Sequence, residues 1–315
     1  MSGPGVTGPT EPDRPGEAGQ PGEADQAGEA DQAGPLKRAG FIGLGSQGGP
    51  MARRIIGAGY PMMLWARRPV TLEPFAGTAA DRAGSPAELA AASDLVCICV
   101  VGDADVEEVV TGSRGVLAGL RPGSVLAVHS TVHPRTCQSL AGQVRARRAA
   151  LVDAPVSSGA PAAGEGRLLV MAGGEPGTVE RCRPVFETYG DPVVHLGPVG
   201  SGQLAKLLNN VLFTANLATA ASALTLAQSL GVDPGRLAGV IGHGSGDSFA
   251  LGRITAAGGT LDRIAAHAGP LLRKDGRFVA LYRKGGQLTG VLGWNAPVRV
   301  LPYRKLLLEQ QMTVG

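Results

Sequence analysis

A glycine spacing near residue 43 constrains this chain more than any other feature. Ala39-Gly40-Phe41-Ile42 is a short apolar run, Gly43-Leu44-Gly45-Ser46-Gln47-Gly48 follows it directly, and a helical stretch comes next. In such a strand–turn–helix unit Gly43 allows the tight turn. Gly45 lets backbone amides approach a pyrophosphate, and Gly48 permits close packing of helix on strand. The helix N-terminus adds N–H groups and the positive end of its dipole. Gly43, Leu44, Gly45, Ser46, Gln47 and Gly48 are therefore candidates for binding a dinucleotide. In a chain with 49 glycines, an ordinary Gly-rich turn is the competing reading.

The residues after this unit alternate between strand and helix patterns. Tyr60 to Trp65 reads as a second strand. Asp94 to Val101 is a continuous apolar run, as expected of a strand buried on both faces. Ser124 to His129 and Leu151 to Ala154 are two more. Pro86 to Ala92 reads as a helix with Ser85 as its N-cap. Alternation of this kind predicts a doubly wound parallel sheet, a Rossmann-type α/β fold. From Ser201 to Leu230 the pattern is one long helix, stopped by Gly231. It is apolar nearly all round, which predicts burial between domains or subunits. More helices are expected from Val232 to about Ala268. Arg277 to Tyr282 and Leu288 to Trp294 alternate like strands around Gly285-Gly286, which predicts a hairpin, and a short helix is expected from Pro302.

Composition enters as a filter. The 315 residues carry a net charge of only +3, which gives no reason to expect nucleic acid. Residues 1–36 are low in complexity, with Gly22 to Gly34 repeating a six-residue unit, and hold seven acids against one base. Such a segment has too little to bury to offset its ordering entropy and is expected to be disordered. The rest of the chain then carries about +9, a balance suited to an anionic ligand. Cys97, Cys99, Cys137 and Cys182 fit no metal-ligand spacing. With no continuous run of 18 apolar residues and no secretory pattern at the start, the expectation is a cytoplasmic protein that is not membrane-bound.

Three further groups of residues carry chemistry. The second strand ends in Trp65-Ala66-Arg67-Arg68, where NAD-binding proteins usually place an acid for the ribose 2′-OH. Guanidinium groups match a 2′-phosphate instead, so Arg67 and Arg68 favour NADP(H), with NAD(H) as the alternative. Asp153-Ala154-Pro155-Val156-Ser157-Ser158-Gly159 offers hydroxyls and backbone donors able to hold a carboxylate, or is an ordinary turn. In Gly200-Ser201-Gly202-Gln203-Leu204-Ala205-Lys206-Leu207-Leu208-Asn209-Asn210, Lys206 and Asn210 are four apart and share a helical face. Only five residues of the chain are lysine. A lysine in apolar surroundings loses basicity and suits acid/base work, or else it snorkels to solvent.

Taken together, GFIGLGSQGGPMA, Ser130-Thr131 with Pro134, DAPVSSG and GSGQLAKLLNN, in this order, resemble the β-hydroxyacid dehydrogenases. That family includes 3-hydroxyisobutyrate dehydrogenase and tartronate semialdehyde reductase, and the likeness runs from about Gly40 to Asp275. The resemblance implies hydride exchange between a nicotinamide cofactor and a short 3-hydroxy acid or its semialdehyde or keto form. It implies that Gly43, Gly45 and Gly48 bind the pyrophosphate and that Thr131 lies beside the nicotinamide ribose. Ser157, Ser158 and Gly159 would hold the substrate carboxylate. Lys206 would be the general acid/base, Asn210 would orient the substrate, and Lys274 would reach the cofactor. The partners implied are a small hydroxy acid and further copies of the chain, as a homodimer or higher homo-oligomer.

The sequence departs from the family in three places. Gln47 stands where the family usually has Met, and Ser158 replaces the first glycine of the usual SGG. After Asp275, DGRFVALYRKGGQLTGVLGWNAPVRVLPYRKLL resembles the C-terminal domain of FAD-dependent ferredoxin reductases, although no second dinucleotide motif exists and no FAD is expected. The expected organisation is a low-complexity tail at 1–36, a Rossmann domain at 37–198, a truncated helical substrate and dimerisation domain at 199–275, and an atypical reductase-like tail at 276–315. The altered end leaves two alternatives to an active dehydrogenase. One is a cofactor-binding but catalytically impaired chimaera, and the other is a partner-binding module of a redox system.

Overall fold

The computed structural model describes residues 34–256 and the backbones of two further strands at 278–284 and 287–294. Its framework is a six-stranded, wholly parallel sheet. The strands are β1 (Ala39–Ile42), β2 (Met62–Trp65), β3 (Ala80–Arg82), β4 (Leu95–Ile98), β5 (Val125–Val128) and β6 (Ala150–Asp153), in the spatial order β3-β2-β1-β4-β5-β6. The central strands β1, β4 and β5 are buried along their whole length, which is why they read as continuous apolar runs rather than as alternation. The crossovers include α1 (Gly48–Gly57), α2 (Pro86–Ala91), α3 (Asp103–Thr111), α4 (Val116–Gly119) and α5 (Pro134–Arg145). The order of strands reverses direction between β1 and β4. In open α/β sheets that switch point is where a ligand crevice forms, outside the C-terminal ends of the strands.

Local signals act as expected at several ends. Ser85 caps α2: its Oγ accepts from Glu88 N at 3.2 Å, and the Glu88 carboxylate accepts from Gly84 N at 2.8 Å, a reciprocal arrangement. A second, mixed sheet is not apparent from periodicity. It contains β7 (Val156–Ser157), β8 (Leu168–Ala172) and β9 (Gly190–His195), with β7 antiparallel and β9 parallel to β8. Its connecting helices are α6 (Gly159–Glu165) and α7 (Pro176–Phe186). A two-residue strand and an edge strand that is largely open to solvent carry no apolar run for a sequence reading to find.

The long helix is α8 (Ser201–Ser229). Beyond it, Gly231 adopts the left-handed conformation (φ 78°), and Val232 N closes back onto Ala227 O at 2.9 Å. The contacts divide the chain into two compact units at Lys206/Leu207. Within the second unit, α9 (Pro234–Ile241) and α10 (Phe249–Ala256) follow, and Leu217, Ala221 and Leu224 of α8 join Ala238, Ala250, Leu251 and Ile254 in one small core. Within the single chain, part of the apolar surface of α8 is open. Leu204, Leu208, Leu212 and Leu226 are each more than half exposed. Hydropathy reports that a face is apolar, not that it has a partner.

By length and composition alone α8 could cross a membrane, yet buried hydrogen bonds from Asp153 and Gln203 tie its first turn to the parallel sheet. The hairpin expected near the C-terminus is present as β10 (Phe278–Lys284) and β11 (Gln287–Trp294), paired antiparallel with Lys284 opposite Gln287. The disordered tail expected over 1–36, apart from its last three residues, the short helix expected from Pro302, and Lys274 lie outside the described residues.

Candidate active site

The glycine loop leaves the C-terminal end of β1 at the switch point. Gly43 has φ 93°, a conformation L-residues avoid, and a Cβ on Gly48 would stand 2.0 Å from Gly43 O and 2.9 Å from the Phe41 ring. Helix α1 can therefore approach β1 only with glycine at that point. Gly45 and Ser46 are exposed, and beyond the adjoining residues nothing lies within 4 Å of where a Gly45 Cβ would be. Leu44 turns into the core. Gln47 is half-buried, and its Nε2 is a buried donor with no hydrogen-bond partner. An open glycine at a helix N-terminus and an unsatisfied buried amide beside it fit a ligand that brings phosphate and ribose oxygens.

Arg67 and Arg68 stand exposed just beyond β2. Arg67 Nη2 pairs with Asp105 Oδ1 at 3.1 Å and Glu108 Oε2 at 2.9 Å, both on α3. Arg68 makes no ion pair with the described residues.

The ends of β5 and β6 meet the start of α8 on the same edge of the sheet. Asp153, the last residue of β6, is fully buried. Its Oδ1 accepts from Gly200 N at 2.6 Å and its Oδ2 from Gln203 N at 2.8 Å, so a distant carboxylate caps the helix. Burial pushes this carboxyl above the usual range, and the two N–H donors pull it the other way. Gln203, also fully buried, uses both ends of its amide: Nε2 donates to Ser130 O at 2.8 Å and Oε1 accepts from Val132 N at 3.0 Å. Thr131, half-buried, is bracketed by these two bonds, and Ser130 Oγ accepts from Val100 N at 2.8 Å after β4. One turn after Gln203, Lys206 Nζ donates to Ser157 Oγ at 3.2 Å. Burial lowers the Lys206 ammonium from its ordinary value to about 8.

The structure thus brings Lys206 into contact with Ser157, and Gln203, on the same helix, bonds the backbone on either side of Thr131. Asn210, half-buried, lies one turn further along α8. Ser158 and Gly159 continue from Ser157, and both have positive φ, 93° and 85°. For Ser158 this is strain: the position calls for a residue without a Cβ. The sequence alone points only to crowding of a carboxylate there. It also misses Asp153 and Gln203 as positioning residues. Gln203 carries a usable signal, being a long polar side chain in a helix whose neighbours are small or apolar. Asp153 carries one as well, an acid closing an apolar strand.

Behind this edge lies His129, fully buried among Phe41, Phe186 and Tyr189. Its Nδ1–H donates to Ala154 O at 2.7 Å, which leaves Nε2 to accept from Tyr189 OH at 3.1 Å. Burial lowers the imidazole from its ordinary value to about 4, so it is neutral at physiological pH. The four cysteines are free thiols, three of them buried. Among the described residues, no three His, Cys, Asp or Glu side chains gather where they could hold a metal ion.

A parallel sheet in this order, with a glycine loop at its switch point, is a dinucleotide-binding Rossmann fold. Comparison with known proteins agrees with that class. Residues 38–197 match the NAD binding domain of 6-phosphogluconate dehydrogenase, and residues 200–260 match the NAD-binding domain of NADP-dependent 3-hydroxyisobutyrate dehydrogenase. Mitochondrial 3-hydroxyisobutyrate dehydrogenase of Mus musculus is 36% identical over 207 residues, 66% of this chain and 62% of that protein. Among solved structures, 3-hydroxyisobutyrate dehydrogenase of Mycobacterium tuberculosis with L-serine superposes with a TM-score of 0.63 at 29% identity, covering 68% of this chain and 73% of that one. Psf3 in complex with NADP+ and 2-OPP superposes with a TM-score of 0.66 at 28% identity, covering 71% and 81%. The chain belongs to the β-hydroxyacid dehydrogenase family. It spans less than two thirds of the length of the mouse relative.

Proposed function

We propose that this chain is an NAD(P)-dependent dehydrogenase of short 3-hydroxy acids or their semialdehyde or keto forms, with NADP(H) favoured. The observation that carries the reading is the Lys206–Ser157 contact at 3.2 Å, held on the same sheet edge as the glycine loop. The names of the relatives, which specify 3-hydroxyisobutyrate, support the substrate class. Gly43 to Gly48 would hold the pyrophosphate, with the Gln47 amide as an additional donor. Thr131 would meet the nicotinamide ribose, and Arg67 and Arg68 the 2′-phosphate. When bound, the nicotinamide accepts or donates the hydride.

The remaining steps belong to the chain's own side chains. Ser157, Ser158 and Gly159 hold the substrate carboxylate. Lys206, poised near neutrality, takes the hydroxyl proton during oxidation and returns it during reduction. The developing alkoxide is stabilised by the ammonium, with Asn210 orienting the substrate. The Asp153 and Gln203 bonds fix the lysine's helix before substrate arrives, so that little reorganisation is left to the reaction itself.

The test is a fluorescence titration with NADPH and NADH, followed by turnover of 3-hydroxyisobutyrate. Wild type should bind and turn over. Lys206→Ala should keep cofactor affinity within about twofold and lose roughly 10²–10⁴-fold in kcat. Full activity in that variant would remove Lys206 from the mechanism.

A further inference from the structure

The ion pairs at the end of β2 bear on cofactor choice, and their role in it rests on the proposed dinucleotide site. Arg67 reads at first sight as a free cation for a 2′-phosphate. Instead its Nη2 is shared by Asp105 and Glu108, three residues apart and so on one face of α3. Helix α3 is itself anchored: Asp103 Oδ1 accepts from His133 N at 2.8 Å and from Thr136 Oγ1 at 2.6 Å at the start of α5. The two carboxylates are thus presented to Arg67 by an element fixed to the sheet, and not by a wandering loop.

The charges do not balance in favour of a phosphate. One guanidinium and two carboxylates sum to −1. Coulomb energy falls as 1/r, so two carboxylates cancel one guanidinium when they lie about twice as far as it does from an incoming anion. Acids bonded to the same nitrogen of Arg67 lie at or inside that distance for any phosphate that reaches its guanidinium. Arg68, without an ion pair among the described residues, is left to supply the net attraction.

We propose that Asp105 and Glu108 are specificity-determining residues that mute Arg67 and hold the chain to a weak preference for NADPH over NADH. The acids compete for the same guanidinium that a 2′-phosphate would use and repel that phosphate, while a cofactor bearing a 2′-hydroxyl puts no charge beside them. Because all three side chains reach solvent, the effect is several-fold rather than thousands-fold, and salt screens it.

The experiment is a set of nicotinamide-fluorescence titrations of the full chain with NADPH and NADH. Wild type, Asp105→Asn/Glu108→Gln, Arg67→Ala and the triple variant are compared at an ionic strength on the order of 0.01 M, where the Debye length is about 30 Å. The expected result is that the double variant binds NADPH about fivefold or more tightly than wild type and NADH within about twofold of it. In the Arg67→Ala background the same double change should move NADPH affinity by less, since the direct repulsion is still relieved but the competition for the guanidinium is gone. Three results would overturn the inference while leaving the dinucleotide reading intact: no gain for NADPH, an equal gain for both cofactors, or a gain undiminished without Arg67. Wild type binding neither cofactor would overturn the dinucleotide reading and this inference together.

Discussion

Two parts of the same sheet edge are built in opposite ways. At the ends of β5 and β6, Asp153 and Gln203 are fully out of solvent and spend their polar atoms on backbone groups of two segments, 130–132 and 200–203. At the end of β2, Arg67, Asp105 and Glu108 meet in water, the arginine 56% exposed. The same categories of interaction therefore differ in consequence. A buried acceptor cannot be removed without stranding its donors, each at a cost of about 1–3 kcal/mol. An exposed ion pair is worth about 0–1 kcal/mol and adjusts. The end that would do chemistry is rigid by construction, and the end that would choose the cofactor is open to tuning.

The contrast can be broken from its strong side first. Asp153→Ala leaves Gly200 N and Gln203 N without their buried acceptor and should lower stability by about 4 kcal/mol in chemical denaturation. Arg67→Ala, the counterpart at the open end, should change it by less than about 0.5 kcal/mol. Similar losses at both places would mean that burial does not separate them.

His129 extends the buried side of the comparison to pH. Its folded value, about 4, lies below the ordinary value near 6.5, so between those limits the unfolded chain binds a proton that the native chain does not. Stability from this group is therefore complete above about pH 6.5 and declines as pH falls toward 4, by roughly 3 kcal/mol in all. The measurement is the difference in unfolding free energy between wild type and His129→Asn across that range, in which the contributions of other carboxylates cancel. A constant difference would contradict the buried, neutral imidazole.

The smallest effect is expected at Ser158. Its φ of 93° is strained for a side chain with a Cβ, so Ser158→Gly should raise stability by about 1 kcal/mol. The readout is a higher denaturant midpoint at unchanged slope. A lower midpoint would show that the serine contributes a contact that outweighs its backbone strain.

Much of the framework is legible in the sequence because its signals are local. Gly43 to Gly48, the apolar runs of β4, β5 and β6, the Ser85 cap and the Gly231 stop each depend on residues within one turn or strand. Lys206 stands out for a similar reason, as a rare lysine among apolar neighbours. What cannot be read depends on partners far apart in the chain. Gln203 finds Ser130 and Val132 more than 70 residues away, and Arg67 finds Asp105 and Glu108 across 38 and 41 residues. Nothing in the local pattern distinguishes a free arginine from a paired one. The exposed leucines of α8 show the converse limit: local apolarity is plain in the sequence, and it does not say what covers it.

The central claim is that Lys206 is an acid/base whose burial brings it to about 8, and the most direct test is the pH dependence of kcat/KM in both directions. In the proposed role of Lys206, oxidation of 3-hydroxyisobutyrate would need the neutral amine, so its rate should rise through about pH 8 and level off above it. Reduction would need the ammonium and should fall over the same interval. Profiles that are flat through that interval in both directions, or an inflection that survives in Lys206→Ala, would contradict the account.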